Sequence, residues 1–407
     1  MTSAQGPAAP LAGITVVALE QAVAAPMCTR VLADFGARVI KVENPSGGDF
    51  ARHYDDVVNG PGGLAAHFVW ANRNKESIAL DLKSAEGLAI LHQLLERADA
   101  LVSNLAPGST ARLGISPDQL RERHPDVIAV EIDGYGAGGP LSNKRAYDLL
   151  AQSESGSCAV TGYPGMPAKP GPPIADISTG LYSALSIMAL LISRNSRGQR
   201  TRRGAAVTVS LFDTMMDLMG YPLTYAQHSG IDQQPLGMNS PAVAPYGSFE
   251  TADNQTVVLG TTNDREWQRL AREIIERPDL ADDPRYATNS DRCNHRDELN
   301  VAIQSWCAGH DLAHIQKTAD IAGIGNARYN LPSDVLVHPQ LSDRDRWRTV
   351  QTTAGAIQAI LPPPIIEGYE QPMGPVPGLG EHTDALLAEL GLSDNEIGSL
   401  REQGAVA

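Results

Sequence analysis

The N-terminal third alternates between β-rich and helical patterns, and that alternation restricts the fold more than any other feature. ITVVALE (Ile14–Glu20) is β-rich, and PMCTRVLADFG follows with Pro26 near a helix start and Gly36 at its end. ARVIKVE (Ala37–Glu43) is a second strand pattern. AEGLAILHQLLERA then sets Leu88, Leu91, Leu95 and Ala98 on one helical face. ALVSNL, a short helix near SPDQLRERH, and VIAVEI continue the series. Apolar strands separated by helices predict an α/β fold, a parallel sheet covered on both faces. AAVTVSL after Gly204 adds a strand, and FDTMMDLMGY a helix. From about Gln227 to Ile321 short strands and charged helices predict a smaller α+β domain. From about Asn326 the chain turns Pro-rich, and it closes with two amphipathic helices. The expected organisation is a large domain over 1–225, a small domain over 226–325 and a return to the large domain over 326–407.

Composition removes several classes of function. With 407 residues, 42% of them hydrophobic, the chain is globular rather than disordered. A formal net charge of −15 argues against nucleic acid or an anionic membrane as the main partner. Cys28, Cys158, Cys293 and Cys307 are scattered with no Cys-x-x-Cys pair, which predicts a reducing, cytoplasmic setting. The N-terminal MTSAQGPAAPLAG lacks a basic start and apolar run, so no secretory leader is expected. The most apolar segment, Leu181–Ile192, spans about 12 residues, against about 20 for a membrane helix.

One carboxylate draws attention. In PPIADISTGLYSALSIMALL, Asp176 sits where a Pro/Gly-rich loop becomes an apolar helix. Asp is a favoured N-cap, and a helix over Ile177–Asn195 is predicted, with Arg194, Arg197 and Arg200 near its C-terminal end. Ser178 could cap equally well, which would leave Asp176 for chemistry. A carboxylate at a helix start is expected to be ionised at neutral pH, from an ordinary pKa near ~4.

Basic residues gather in the N-terminal half: Arg38, Lys41, Arg73, Lys75, Arg112, Lys144 and Arg145. Each alone reads as solvated charge. Several fall at strand ends or loops, where open α/β sheets bind ligands, and together they suit a phosphate-rich molecule. Other signals are weak. GYGAGGP (Gly134–Pro140) follows a strand, but no helix opens tightly after it as a dinucleotide site requires. His310 and His314 stand at i, i+4 without a third ligand, so no metal is expected. No Gly-x-Ser-x-Gly elbow occurs, and Cys28 has no identifiable base.

In order and spacing, LAGITVVAL, AAPMCTRVLADFGARVIKVENPSGGD, NRNKESIALDLKSAEG, NLAPGSTARLG, RAYDLLAQSESG, PPIADISTG and LGEHTDALLAELG resemble the class III CoA-transferases. That family also contains 2-methylacyl-CoA racemases. The resemblance covers nearly the whole chain. It implies a Rossmann-like large domain, a small domain and an interlocked, ring-like homodimer. It also implies coenzyme A and acyl-CoA as substrates, with no resident cofactor and no metal. Asp176, in ADISTG, matches the family's catalytic aspartate, which makes the helix start and the nucleophile one device. CoA-contacting positions match Arg38, Asn104, Leu105, Arg112, Arg145 and Tyr147, with Lys75 a further candidate. Ala22, Val23, Ala24 and Asn263 match the acyl pocket. Val23 stands where formyl-CoA transferases carry Gln, and Leu236–Gly247 replaces their four-glycine run, which argues against oxalate. Racemases carry His and Glu where this chain has Tyr147 and Asn263, which favours transfer. The chain looks most like members acting on dicarboxylates of four or five carbons, with Arg52, His53, Asn239 and Arg328 as polar candidates for a second carboxylate.

Overall fold

The computed structural model describes residues 9–196 and 203–407. Two compact units divide the chain. The first comprises Met1–Ser157, Pro170–Tyr221 and Arg344–Ala407, and the second Cys158–Lys169 and Pro222–Asp343.

The first unit is built on six parallel strands; the alternation predicts the parallel sheet and five of its strands, and Lys75–Ala79 is an addition to them. The six are β1 (Thr15–Leu19), β2 (Arg38–Glu43), β3 (Lys75–Ala79), β4 (Ala100–Ser103), β5 (Ile128–Asp133) and β6 (Ala206–Ser210). Their order in the sheet is β3-β2-β1-β4-β5-β6. Val17 of β1 pairs with Ile40 on one side and Leu101 on the other. The chain therefore moves outward from β1 to β3, then crosses back to β4. That reversal opens a crevice at the carboxyl ends of β1 and β4.

The pleat sends alternate residues to opposite faces. On one face Leu19, Ile40, Val42, Ile78 and Leu80 form a core with Leu91 and Leu95 of helix α2 (Ala85–Leu95). Leu386, Leu387 and Ile397 of the two C-terminal helices complete it. This is why the last part of the chain returns to the first unit. Helix α1 (Ala24–Asp34) packs on β1, β2 and β4.

Helix α3 (Asp148–Glu154) precedes the long helix α4 (Ile174–Ser196), which packs against α1. Gly180, Ala184, Ile187 and Leu191 recur at helical spacing, and the last three are buried. A Cβ at Gly180 would lie 2.5 Å from the Ala24 carbonyl oxygen and 3.1 Å from the Cys28 nitrogen. Only glycine allows the two backbones to meet there. By length and composition Ile174–Arg194 could cross a membrane, which the shorter apolar count had not indicated. Its packed face instead lies against α1. Arg194, in the last turn, bonds to Asp99 and to the Asp126 carbonyl; Arg197 and Arg200 fall outside the described residues.

The second unit carries an antiparallel sheet of Gly325–Arg328, Thr256–Gly260 and Tyr246–Glu250. Phe249, Val257, Leu259, Trp267, Ile303 and Ile315 form its core. The expected return at 326 falls within this unit. Gly325–Arg328 pairs with Thr256–Gly260, so the chain stays until Asp343. The hairpin at Gly162–Pro167 also belongs here, because Gly237 N–H donates to the Gly162 carbonyl at 2.6 Å.

Candidate active site

The crevice is a cavity of about 1040 Å³ lined entirely by the first unit. Glu20, Asn44, Leu80, Asn104 and Asp133, at or just beyond the ends of β1 to β5, reach it together with Asp176. Strand ends thus deliver polar groups to one place while apolar residues stay between the layers.

Asp176 lies in the first turn of α4, not at its cap. Ile177 N–H already donates to the Pro173 carbonyl at 3.0 Å. The end is capped by Asp148, whose Oδ1 accepts from Ala175 N–H at 3.0 Å. Its Oδ2 accepts from Nε2 of the fully buried Gln152 at 2.7 Å. The Asp176 carboxylate has no hydrogen-bond partner among the described residues. Burial first, then the neighbouring Asp148, push it up to about 7. The expectation of an ordinary, fully ionised carboxylate is therefore corrected. Loss of hydration and a like charge outweigh the helix start.

The loop between β1 and α1 forms the opposite wall. Ala22 adopts φ +60°, a left-handed conformation uncommon for a residue with a Cβ. Its N–H donates to Asp49 Oδ1 at 3.0 Å. Gln21 is held at both ends by Asn104: Oδ1 accepts its N–H at 2.9 Å, and Nδ2 donates to its carbonyl at 2.8 Å. Asn104 thus ties the β1 loop to the β4 loop across the reversal point. Helix α1 starts after Val23 with no side-chain cap, so its first amides have no intrahelical acceptor. Ala22 and Ala24 line the cavity; Val23 is buried and is not part of the lining.

The candidate ligand contacts divide by position. Asn104, Leu105, Arg112, Arg145 and Tyr147 all line the cavity. Arg145 is exposed and makes no ion pair among the described residues. Two candidates lie elsewhere. Arg38 opens β2 at the amino edge of the sheet, where its guanidinium bonds Glu76 at 2.8 Å and Glu389 at 3.0 Å. Lys75 is buried and donates to Glu20 at 2.7 Å. Neither lines the cavity: Glu76 and Glu389 hold the Arg38 guanidinium at the amino edge, and Glu20, Asn72 and the Pro26 carbonyl take up the Lys75 ammonium. Lys83, which sequence reasoning missed, does line it, immediately before the Ser84 cap of α2. A strand end followed by a helix cap was the available signal.

Other expectations resolve into structure. Asn263 belongs to the second unit, where its Oδ1 caps Asp264–Arg269 by accepting from Glu266 N–H at 3.0 Å. Arg52 pairs with Glu43 at 2.7 Å. Cys28 is buried, and burial, then Glu20, push its thiol up beyond reactivity. The His310 and His314 rings stack 4.7 Å apart.

The crevice thus brings a carboxylate without hydrogen-bond partners, Asp176, together with the cations Lys83, Arg112 and Arg145. Residues 11–383 match the family described as CoA-transferase family III, and the chain belongs to that family. A succinate–glutarate CoA-transferase of Agrobacterium fabrum is 33% identical, over 94% of this chain and 96% of that protein. A succinyl-CoA:mesaconate CoA-transferase of Haloarcula hispanica is 33% identical, over 93% and 96%. A CAIB/BAIF family protein from Brucella suis has a solved structure with TM-score 0.81 and 30% identity, covering 94% of this chain and 100% of that one. The chain is thus a CoA-transferase that uses CoA thioesters.

Proposed function

We propose that this enzyme moves CoA from an acyl-CoA to a dicarboxylic acid of four or five carbons, with Asp176 as covalent nucleophile. The observation that carries the reading is the Asp176 carboxylate, unpartnered and facing the cavity. Lys83, Arg112 and Arg145 suit the phosphates of CoA. The acids named for the Agrobacterium and Haloarcula relatives support the substrate class.

The chemistry is covalent carboxylate catalysis. An oxygen of Asp176 attacks the thioester carbonyl carbon, the C–S bond breaks, and CoA leaves as thiolate. The product is an aspartyl–acyl mixed anhydride. The thiolate attacks the aspartyl carbonyl, frees the donor acid as carboxylate and leaves an aspartyl-CoA thioester. The acceptor carboxylate attacks that thioester, and CoA leaves again. The thiolate then attacks the acceptor's acyl carbon, which yields the new acyl-CoA and restores Asp176. One thioester replaces another, so neither ATP nor a net proton is consumed. The amides of Ala24 and Ala25, at the positive end of α1, are the donors proposed for the oxyanion.

The resemblance also supports a cytoplasmic homodimer. Leu181, Leu185 and Ile192, at 42%, 56% and 68% exposure, give α4 an apolar outer face that a second copy would cover. Asp176→Ala and Asp176→Asn are expected to remain folded and to bind CoA in calorimetry, while exchange from succinyl-CoA to a panel of mono- and dicarboxylates is lost. Full exchange by Asp176→Ala would sink the covalent scheme. Deuterium is not expected to enter the α-carbon of a 2-methylacyl-CoA when no acceptor acid is present.

A further inference from the structure

Four charged side chains lie buried under the loop between β1 and α1. Glu20, Lys41, Asp49 and Lys75 are 2%, 0%, 1% and 3% exposed. Lys75 Nζ bonds Glu20 Oε1 at 2.7 Å, and Lys41 Nζ bonds Asp49 Oδ2 at 2.8 Å and Glu20 Oε1 at 3.3 Å. Thr29 Oγ1 donates to the other Glu20 oxygen at 2.5 Å. Two negative and two positive groups balance. Burial opposes ionisation of Glu20, but Lys75 and Lys41 together hold its carboxyl below the usual range.

Such a cluster is a poor way to gain stability, since desolvation offsets most of the attraction. Apart from Asn72, whose Oδ1 accepts from Lys75 Nζ at 3.0 Å, its remaining bonds go to backbone. Asp49 Oδ1 takes Ala22 N–H at 3.0 Å and Ala51 N–H at 2.9 Å. Lys75 Nζ donates to the Pro26 carbonyl at 3.0 Å, and Lys41 Nζ to the Glu20 carbonyl at 3.3 Å. These contacts bracket Gln21–Ala25 on both sides and fix Ala22 in its left-handed turn. Nothing in the cluster other than Glu20 and Asp49 reaches the cavity lining.

We propose that this buried quartet is a positioning device that holds the Gln21–Ala25 backbone at the distance from Asp176 that acyl transfer requires, with Asp49 as its central residue. The inference rests on the reading of Asp176 as nucleophile and of the α1 amides as oxyanion donors. Asp49 acts through the Ala22 amide, whose N–H its Oδ1 accepts.

The test uses the full chain with succinyl-CoA. The rate at which the Asp176 peptide gains the mass of CoA is followed by rapid quench and mass spectrometry, beside steady-state exchange. In Asp49→Asn the amide cannot serve both Lys41 and Ala22 N–H, so the loop loses an anchor. Adduct formation and kcat are expected to fall about 100-fold, as a displacement near 1 Å at a reacting centre does, while KM changes less than about threefold. If Asp49→Asn does not fold, Asp49→Glu keeps the charge but shifts the carboxylate, and the same split is expected. Partial recovery in Asp49→Glu over Asp49→Asn would support the proposal. A variant that only melts earlier, with wild-type kcat and adduct rate per folded molecule, overturns it. If wild type forms its adduct normally, that result removes this inference alone. If wild type forms none, the nucleophile reading fails and takes this one with it.

Discussion

Asp176 and Asp148 are two carboxylates with opposite circumstances. Asp148 is fixed by two donors, one on each oxygen, whereas Asp176 has none. A shared environment that separates two carboxyl groups in this way assigns them different work. The nucleophile is the ionised form, and burial with Asp148 pushes Asp176 up to about 7. The first-step rate should therefore rise with pH through about 7 and level off above it, read by single-turnover CoA release. Asp148→Asn removes the like charge, so that profile should move to lower pH; an unmoved midpoint would show that Asp148 does not govern it. The position of Asp176 was legible in the sequence through its setting before an apolar helix. Its state was not, because the capping group comes from 27 residues away. Lys75 and Lys83 look alike in the sequence, yet one is buried at the start of β3 and the other passes its end.

At the scale of elements, the contact between α1 and α4 joins the two walls of the site. Gly180 carries it, one turn beyond Asp176, against the first turn of α1. Gly180→Ala would drive a methyl group into the Ala24 carbonyl and force the helices apart. A loss of about 1–3 kcal/mol in urea unfolding is expected, with a fall in exchange activity of the folded enzyme. Unchanged stability would mean that the helices part freely there. The glycine in ADISTG was readable as part of a pattern, but its reason lies in a partner helix far away in sequence. Strand order has the same character. β1, β2, β4, β5 and β6 were visible as apolar runs, whereas β3, with its polar start KES, was not, and neither was the reversal between β1 and β4 that places the cavity. The helix α4 start was misjudged because Asp176 offers the residue type of a cap, while Asp148 supplies the cap itself.

On the scale of the whole molecule, the first unit closes only when residues after Arg344 return to cover β1 to β3. The boundary at 326 was misplaced because a Pro-rich stretch resembles a linker, while Gly325–Arg328 is an edge strand of the second unit's sheet. Stability should carry an acid-sensitive component from the buried pair His92 and His124, whose Nδ1 and Nε2 lie 2.9 Å apart. Burial, then Arg123 and the partner ring, lower His92 to about 4. A lowered folded pKa means that the unfolded chain takes up protons first, near ~6.5. Stability is then full above about 6.5 and is lost as pH falls from there toward about 4. Urea midpoints across that range should drop in wild type and drop less in His92→Gln; equal slopes would exclude the pair as the source. The central claim remains that an oxygen of Asp176 bonds covalently to the substrate. Its most direct test is peptide mass spectrometry of enzyme quenched during turnover of succinyl-CoA. The account predicts CoA attached through a thioester at Asp176, and an adduct on any other side chain, with position 176 unmodified, would contradict it.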